Sequence, residues 1–164
     1  MRLLCVDPGT THSGVLGLDS EDYRVIFAKA DYDNKSLLEH IETRVYTSYD
    51  HMAIEGIQNM GMSAVGQTVF ETAEWIGILR QAFGLQKSTK IYRNEEKICI
   101  CNNMRAKSAN IRQALIDMFE PSGGGKIPQV GTKNQPGPLY GLSSHAWSAL
   151  AIGITYLAKV EGRI

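Results

Sequence analysis

Leu3-Leu4-Cys5-Val6-Asp7-Pro8-Gly9-Thr10-Thr11 is an apolar run that stops on one carboxylate and turns at once on Pro-Gly. A second string, Met52-Ala53-Ile54-Glu55-Gly56, has the same design: apolar residues, one acid, then glycine. Short apolar runs bounded by turn residues read as buried strands. A lone Asp or Glu at the end of such a strand is costly to desolvate unless something pairs with it. Asp is also common in turns, so each acid by itself reads equally well as a turn cap. Two of them on adjacent strands form an oxygen cradle suited to a hard divalent cation.

Outward from these strings, residues 2–7, 13–19 and 24–31 read as three consecutive strands in an antiparallel meander. Leu37, Leu38, Ile41 and Val45 recur at helical spacing over 36–46, and residues 51–57 form the next strand. The longest helical pattern runs from Ala64 to Phe83, with Val65, Val69, Ala73, Ile76 and Phe83 on one stripe. Trp75 and Ile78 lie off that stripe and give the helix a second apolar face, suited to burial on both sides or to a dimer contact. Lys90 to Tyr92 reads as a brief fifth strand. Ala106 to Phe119 reads as a helix with Ile111, Leu115, Met118 and Phe119 inward. Pro121 to Leu142, rich in Gly and Pro, reads as a long loop. Ser143 or Ser144 then caps a last helix reaching about Val160. A meander followed by alternating helices and strands predicts one α/β domain over 1–164, a mixed five-stranded sheet with helices on both faces.

Composition narrows the function. The 164 residues are 43% hydrophobic, enough for one core. No apolar run approaches the roughly 18 residues a membrane span needs, and no secretory signal is visible. Three cysteines, with no Cys-x-x-Cys pair, suggest a reducing cytoplasm and no zinc. The net charge of zero conceals a polarity: residues 1–79 hold 5 Lys/Arg against 12 Asp/Glu, whereas residues 80–133 hold 10 against 4. The basic segment is either a solvated face or the contact surface for a polyanion.

Three stretches together resemble the RuvC-type Holliday-junction resolvases of the ribonuclease-H-like superfamily, closest to the phage-encoded branch. LLCVDPGTTHSGV (3–15) is similar to that family's opening strand, and AIEG (53–56) to the strand ending in its second acidic ligand. His145-Ala146-Trp147-Ser148-Ala149-Leu150-Ala151 is similar to its last catalytic helix. Ala106-Lys107-Ser108 resembles a helix start that supplies a DNA-contacting lysine, and Gln135 to Gly141 resembles the loop of the phage branch. The resemblance implies a magnesium- or manganese-dependent endonuclease on four-way junctions or other branched DNA, working as a homodimer in the cytoplasm, that of the bacterial host if phage-encoded. It implies Asp7, Glu55 and His145 as metal and catalytic residues, with Lys107, Arg105 and Arg112 as phosphate contacts.

Two departures stand out. Ser148 occupies the place of the family's further acid, so the site holds one metal weakly, recruits another carboxylate such as Glu71 or Glu74, or is impaired and binds branched DNA without cutting it well. The place of the family's aromatic wedge holds Gln58, followed by Asn59, Met60, Gly61 and Met62. The Asp7–Gly14 string also resembles the phosphate loop of actin-like and sugar-kinase ATPases. Those enzymes close two such cores on a nucleotide, and this chain builds one.

Overall fold

The computed structural model describes residues 1–58 and 66–164. Five strands form one sheet: β1 (Arg2–Asp7), β2 (His12–Asp19), β3 (Val25–Asp33), β4 (His51–Gly56) and β5 (Ser88–Tyr92). Their order across the sheet is β3-β2-β1-β4-β5. The β1–β2 and β2–β3 pairs are antiparallel, as the meander requires, and β4 and β5 add parallel to β1. The helices are α1 (Asn34–Glu42), α2 (Gln67–Phe83), α3 (Arg93–Cys101), α4 (Ser108–Asp117) and α5 (His145–Val160).

The sheet is covered on both faces, and the two-residue period of its strands sorts the side chains. Leu4, Val6, Met52 and Ile54 pack with Leu37 and Ile41 of α1 and Ile76 and Leu79 of α2. Leu3, Cys5, Ala53 and Ile91 pack on the other face with α3, α4 and α5. Helix α5 buries twelve of its sixteen residues, and so reads as apolar nearly all round. Gly153 brings it onto the sheet, because a Cβ there would stand 2.6 Å from Cys5 Sγ. Among the described residues, no helix is long and apolar enough to cross a membrane.

Several expectations need correction. Helix α1 ends at Glu42, where Thr43 Oγ1 turns back to Glu39 O and Arg44 adopts a φ of 61°; Val45 is left exposed. In α2 the inward residues are Ile76 and Leu79; Ala73 faces solvent, and Trp75 packs half-buried against the core. Phe70, 62% exposed, is the apolar side chain that α2 leaves in water. The expected start of this helix at Ala64 and Val65 lies outside the described residues. Met118 is exposed, because α4 ends one residue before it. Ser144 holds the N-cap position of α5 at a φ of 39°, yet its hydroxyl makes no capping hydrogen bond. Helix α3 was absent from the sequence reading.

Candidate active site

Register brings the two acids together. Val6 lies opposite Ile54 in the parallel β1–β4 pair, so the next residues, Asp7 and Glu55, end neighbouring strands. Both share parity with Cys5 and Ala53 and therefore face the α3–α5 layer. The turn after Asp7 is fixed from outside. Asn34 Nδ2 donates to Gly9 O at 2.9 Å, and Asn34 Oδ1 accepts from Ser13 Oγ at 2.6 Å. Gly14, opposite Asp7 on β2, admits the start of α5, since a Cβ there would stand 2.4 Å from the His145 carbonyl oxygen.

His145 thus reaches Asp7, with Nδ1 2.9 Å from Asp7 Oδ2. The Asp7 side chain is 10% exposed and that of His145 is 66% exposed. An ionised carboxylate only accepts, so Nδ1 carries the proton in this contact and, in the neutral imidazole, Nε2 keeps the lone pair. Glu55 is hydrogen-bonded to Asp7 as well. Burial, then the charges of Glu96 and Asp7, push the Glu55 carboxyl up to about 8, with Arg93 opposing.

Glu96, on α3, is the residue the sequence reading missed. Its side chain has no solvent exposure. Oε2 pairs with an Arg93 guanidinium nitrogen at 2.5 Å, while Oε1 has no hydrogen-bond partner among the described residues. Burial pushes this carboxyl up to about 7 despite the Arg93 pair, and the charge of Asp7 adds to the rise. Arg93 also donates to Ser108 Oγ at 2.9 Å, tying α3 to the start of α4. Neither alternative raised for the missing acid is enclosed as Glu96 is. Glu71 accepts from Gln67 Nε2 on its own helix, and Glu74 is exposed.

Three carboxyl groups and one imidazole, with an arginine beside them, offer donors that a hard cation suits. The fit is incomplete in position: contacts run pairwise through Asp7, and among the described residues no three His, Cys, Asp or Glu side chains converge on one point as a metal-ligand group.

Two clefts flank the set. One, of about 240 Å³, is lined by Pro8, Glu55, Gln58, Thr72 and Arg93. The other, of about 280 Å³ between α4 and α5, is lined by Arg93, Ser108, Arg112, Trp147 and Ser148. Ser148 thus lines a cleft together with Arg93 and Arg112. Arg112 lies over the Trp147 ring, 4.7 Å from its centroid, beside the start of α5. Lys107 is exposed at the start of α4, its backbone N–H held by Asn110 Oδ1 at 2.9 Å. Arg105 is exposed in the α3–α4 connection. Gln58 lies at the mouth of the first cleft; Asn59, Met60, Gly61 and Met62 lie outside the described residues.

No family model matches the sequence, and no curated protein matches it either. Solved structures do. Thermus thermophilus RuvC in complex with a Holliday junction substrate aligns with a TM-score of 0.64 at 14% identity, over 99% of this chain and 96% of that one. A further structure of Thermus thermophilus RuvC aligns with a TM-score of 0.63 at 17% identity, over 99% and 97%. The described residues have the RuvC-type, ribonuclease-H-like fold.

Proposed function

We propose that this protein is a divalent-metal-dependent endonuclease that nicks four-way junctions or related branched DNA. The observation that carries the reading is the meeting of Asp7, Glu55 and His145 at the shared end of β1, β4 and α5, on a fold like that of a protein solved with a Holliday junction. Asp7 and Glu55 would hold magnesium or manganese, which supplies charge neutralisation at the phosphate and a more acidic water. Asp7 orients the His145 ring through Nδ1. His145 Nε2, on an exposed side chain, is then free to take a proton from a water attacking phosphorus. Hydrolysis of the P–O3′ bond would leave a 5′-phosphate.

Arg112, Lys107 and Arg105 sit on or beside α4 and would contact DNA phosphates; Arg112 is fixed by its stack on Trp147. Resolving a junction takes two symmetric nicks, so a two-fold homodimer is part of the reading. Exposed Phe70 on α2 is a better probe of that contact than Trp75, which packs on its own core.

The neutral Ser148 and the pairwise donor contacts favour one other reading, a junction-binding protein that does not cut. The test is a synthetic four-way junction labelled on each strand in turn, with flap and fork controls, in EDTA, magnesium or manganese. Paired symmetric nicks that need metal support the nuclease. Tight binding without nicks in any metal leaves the binding protein.

A further inference from the structure

We infer that Glu96 is a cation-facing carboxylate of this site, supplying from α3 the acid that α5 lacks at Ser148. The inference rests on the metal-dependent reading of Asp7 and Glu55. It goes beyond that reading by adding a residue from a different element.

The argument begins with a cost. A carboxylate withdrawn wholly from water needs partners for both oxygens, and leaving one unpaired carries its desolvation penalty uncompensated. Glu96 has no exposure and a partner for Oε2 alone. Helix α3 could remove this cost with any apolar residue, since Ile100, one turn on, packs into the core cluster. An acid on the buried face of a helix is thus a departure from the pattern that builds the rest of that face. Glu96 is tied to the proposed ligands through Arg93, which holds its Oε2 and lines one cleft with Glu55; the charge of Glu96 also raises the Glu55 carboxyl. Glu55 and Glu96 therefore share one guanidinium, that of Arg93, while Asp7 meets the His145 imidazole. The protein's own cations do not neutralise the group, and a divalent ion would.

Arg93 accounts for the way Glu96 is held. It grips Oε2 from the first turn of the same helix and Ser108 Oγ from the next, which fixes the carboxyl rotamer and leaves Oε1 as the oxygen on offer. The same guanidinium borders the cleft that contains Ser148. An acid at position 148 would have Arg93 for a neighbour too, so either position can present a carboxylate beside this arginine.

The test is Mn²⁺ binding to the whole chain without DNA, measured by titration calorimetry and by the loss of the free-Mn²⁺ electron-spin signal. Glu96→Gln keeps the shape and should weaken Mn²⁺ about tenfold or more, the usual loss when a partner in a metal site is removed. With EDTA at pH 8 the same variant should melt no lower than the parent, because a poorly partnered charge has become an amide. Glu96→Asp, which keeps the charge but withdraws it by one methylene, should also weaken Mn²⁺. Adding Ser148→Asp to Glu96→Gln should restore affinity.

Unchanged Mn²⁺ affinity in Glu96→Gln or Glu96→Asp overturns the inference, and so does a parent protein that binds no Mn²⁺. A lower melting temperature with unchanged affinity would make Glu96 only an anchor for Arg93, which also overturns it. The nuclease reading fails separately: a protein that binds Mn²⁺ through Glu96 yet nicks no junction keeps this inference and loses the activity.

Discussion

The two ends of α5 treat acids in opposite ways. At its C-terminal end, Lys159 Nζ meets Glu95 Oε1 at 2.5 Å, and Arg163 meets Glu161 at 2.6 Å while Tyr23 donates to the same carboxylate at 3.0 Å. Each acid there has its own cation and stays partly in water. At the N-terminal end, Asp7, Glu55 and Glu96 share Arg93 and the imidazole of His145, and one carboxylate oxygen has no partner among the described residues. The contrast falls even between neighbours in sequence. Glu95 accepts from Lys159 and from the Tyr92 N–H at 2.7 Å, whereas Glu96 is sealed in. Surface pairs of the first kind contribute little and cost little. Buried acids of the second kind destabilise the fold, and their clustering marks a site where another charge is expected.

The comparison breaks most visibly in cleavage. Asp7→Asn and Glu55→Gln should each lower junction cleavage by about a thousandfold or more, the size of a metal ligand's share of the barrier. Junction binding in gel shift should hold or tighten, because a negative charge facing phosphate is gone. A variant that still nicks at the parent rate would reduce the N-terminal cluster to a structural one.

His145→Ala removes a proton acceptor and leaves the acids, and should cost about a hundredfold in single-turnover rate. If Nε2 takes the proton, imidazole added to the variant should restore part of the rate.

The acids also predict how stability varies with pH. Glu55 at about 8 and Glu96 at about 7 lie above their usual value near 4.5, so the folded protein binds protons that the unfolded chain has released. Their favourable contribution is complete below about 4.5 and is lost as pH rises through 7 to 8. In EDTA the melting temperature should therefore fall by a few degrees between pH 5 and pH 8. Glu55→Gln should flatten the slope, and magnesium or manganese should oppose it. A melting temperature independent of pH in EDTA would mean that the N-terminal acids are as well satisfied as the C-terminal ones.

Two smaller effects sharpen the contrast. Lys107→Ala should lower junction affinity and reduce the salt slope by about one, the signature of a single lost phosphate contact. An unchanged slope would place that face of α4 away from DNA. Lys159→Ala breaks an ion pair at the satisfied end and should shift stability by no more than about 1 kcal/mol, with cleavage unaltered.

Local pattern determined the sheet and one half of the site. Strand-end acids are readable because the apolar run, the carboxylate and the glycine are contiguous, while the β1–β4 register puts Asp7 and Glu55 on one face. His145 was legible through its segment, since a helix start close to the opening strand follows from the resemblance. Glu96 was not, although Glu96 and Ile100 lie one turn apart on the buried face of α3. An acid in Arg93-Asn94-Glu95-Glu96-Lys97 looks like one more solvated charge until the packing of α3 against α5 decides which of two adjacent glutamates is enclosed. The sequence determined which residues alternate and where the chain turns, because those depend on near neighbours. Which charges lost their water, and which lacked a partner when they did, depended on contacts between α3, α4 and α5, and only the tertiary structure decided it.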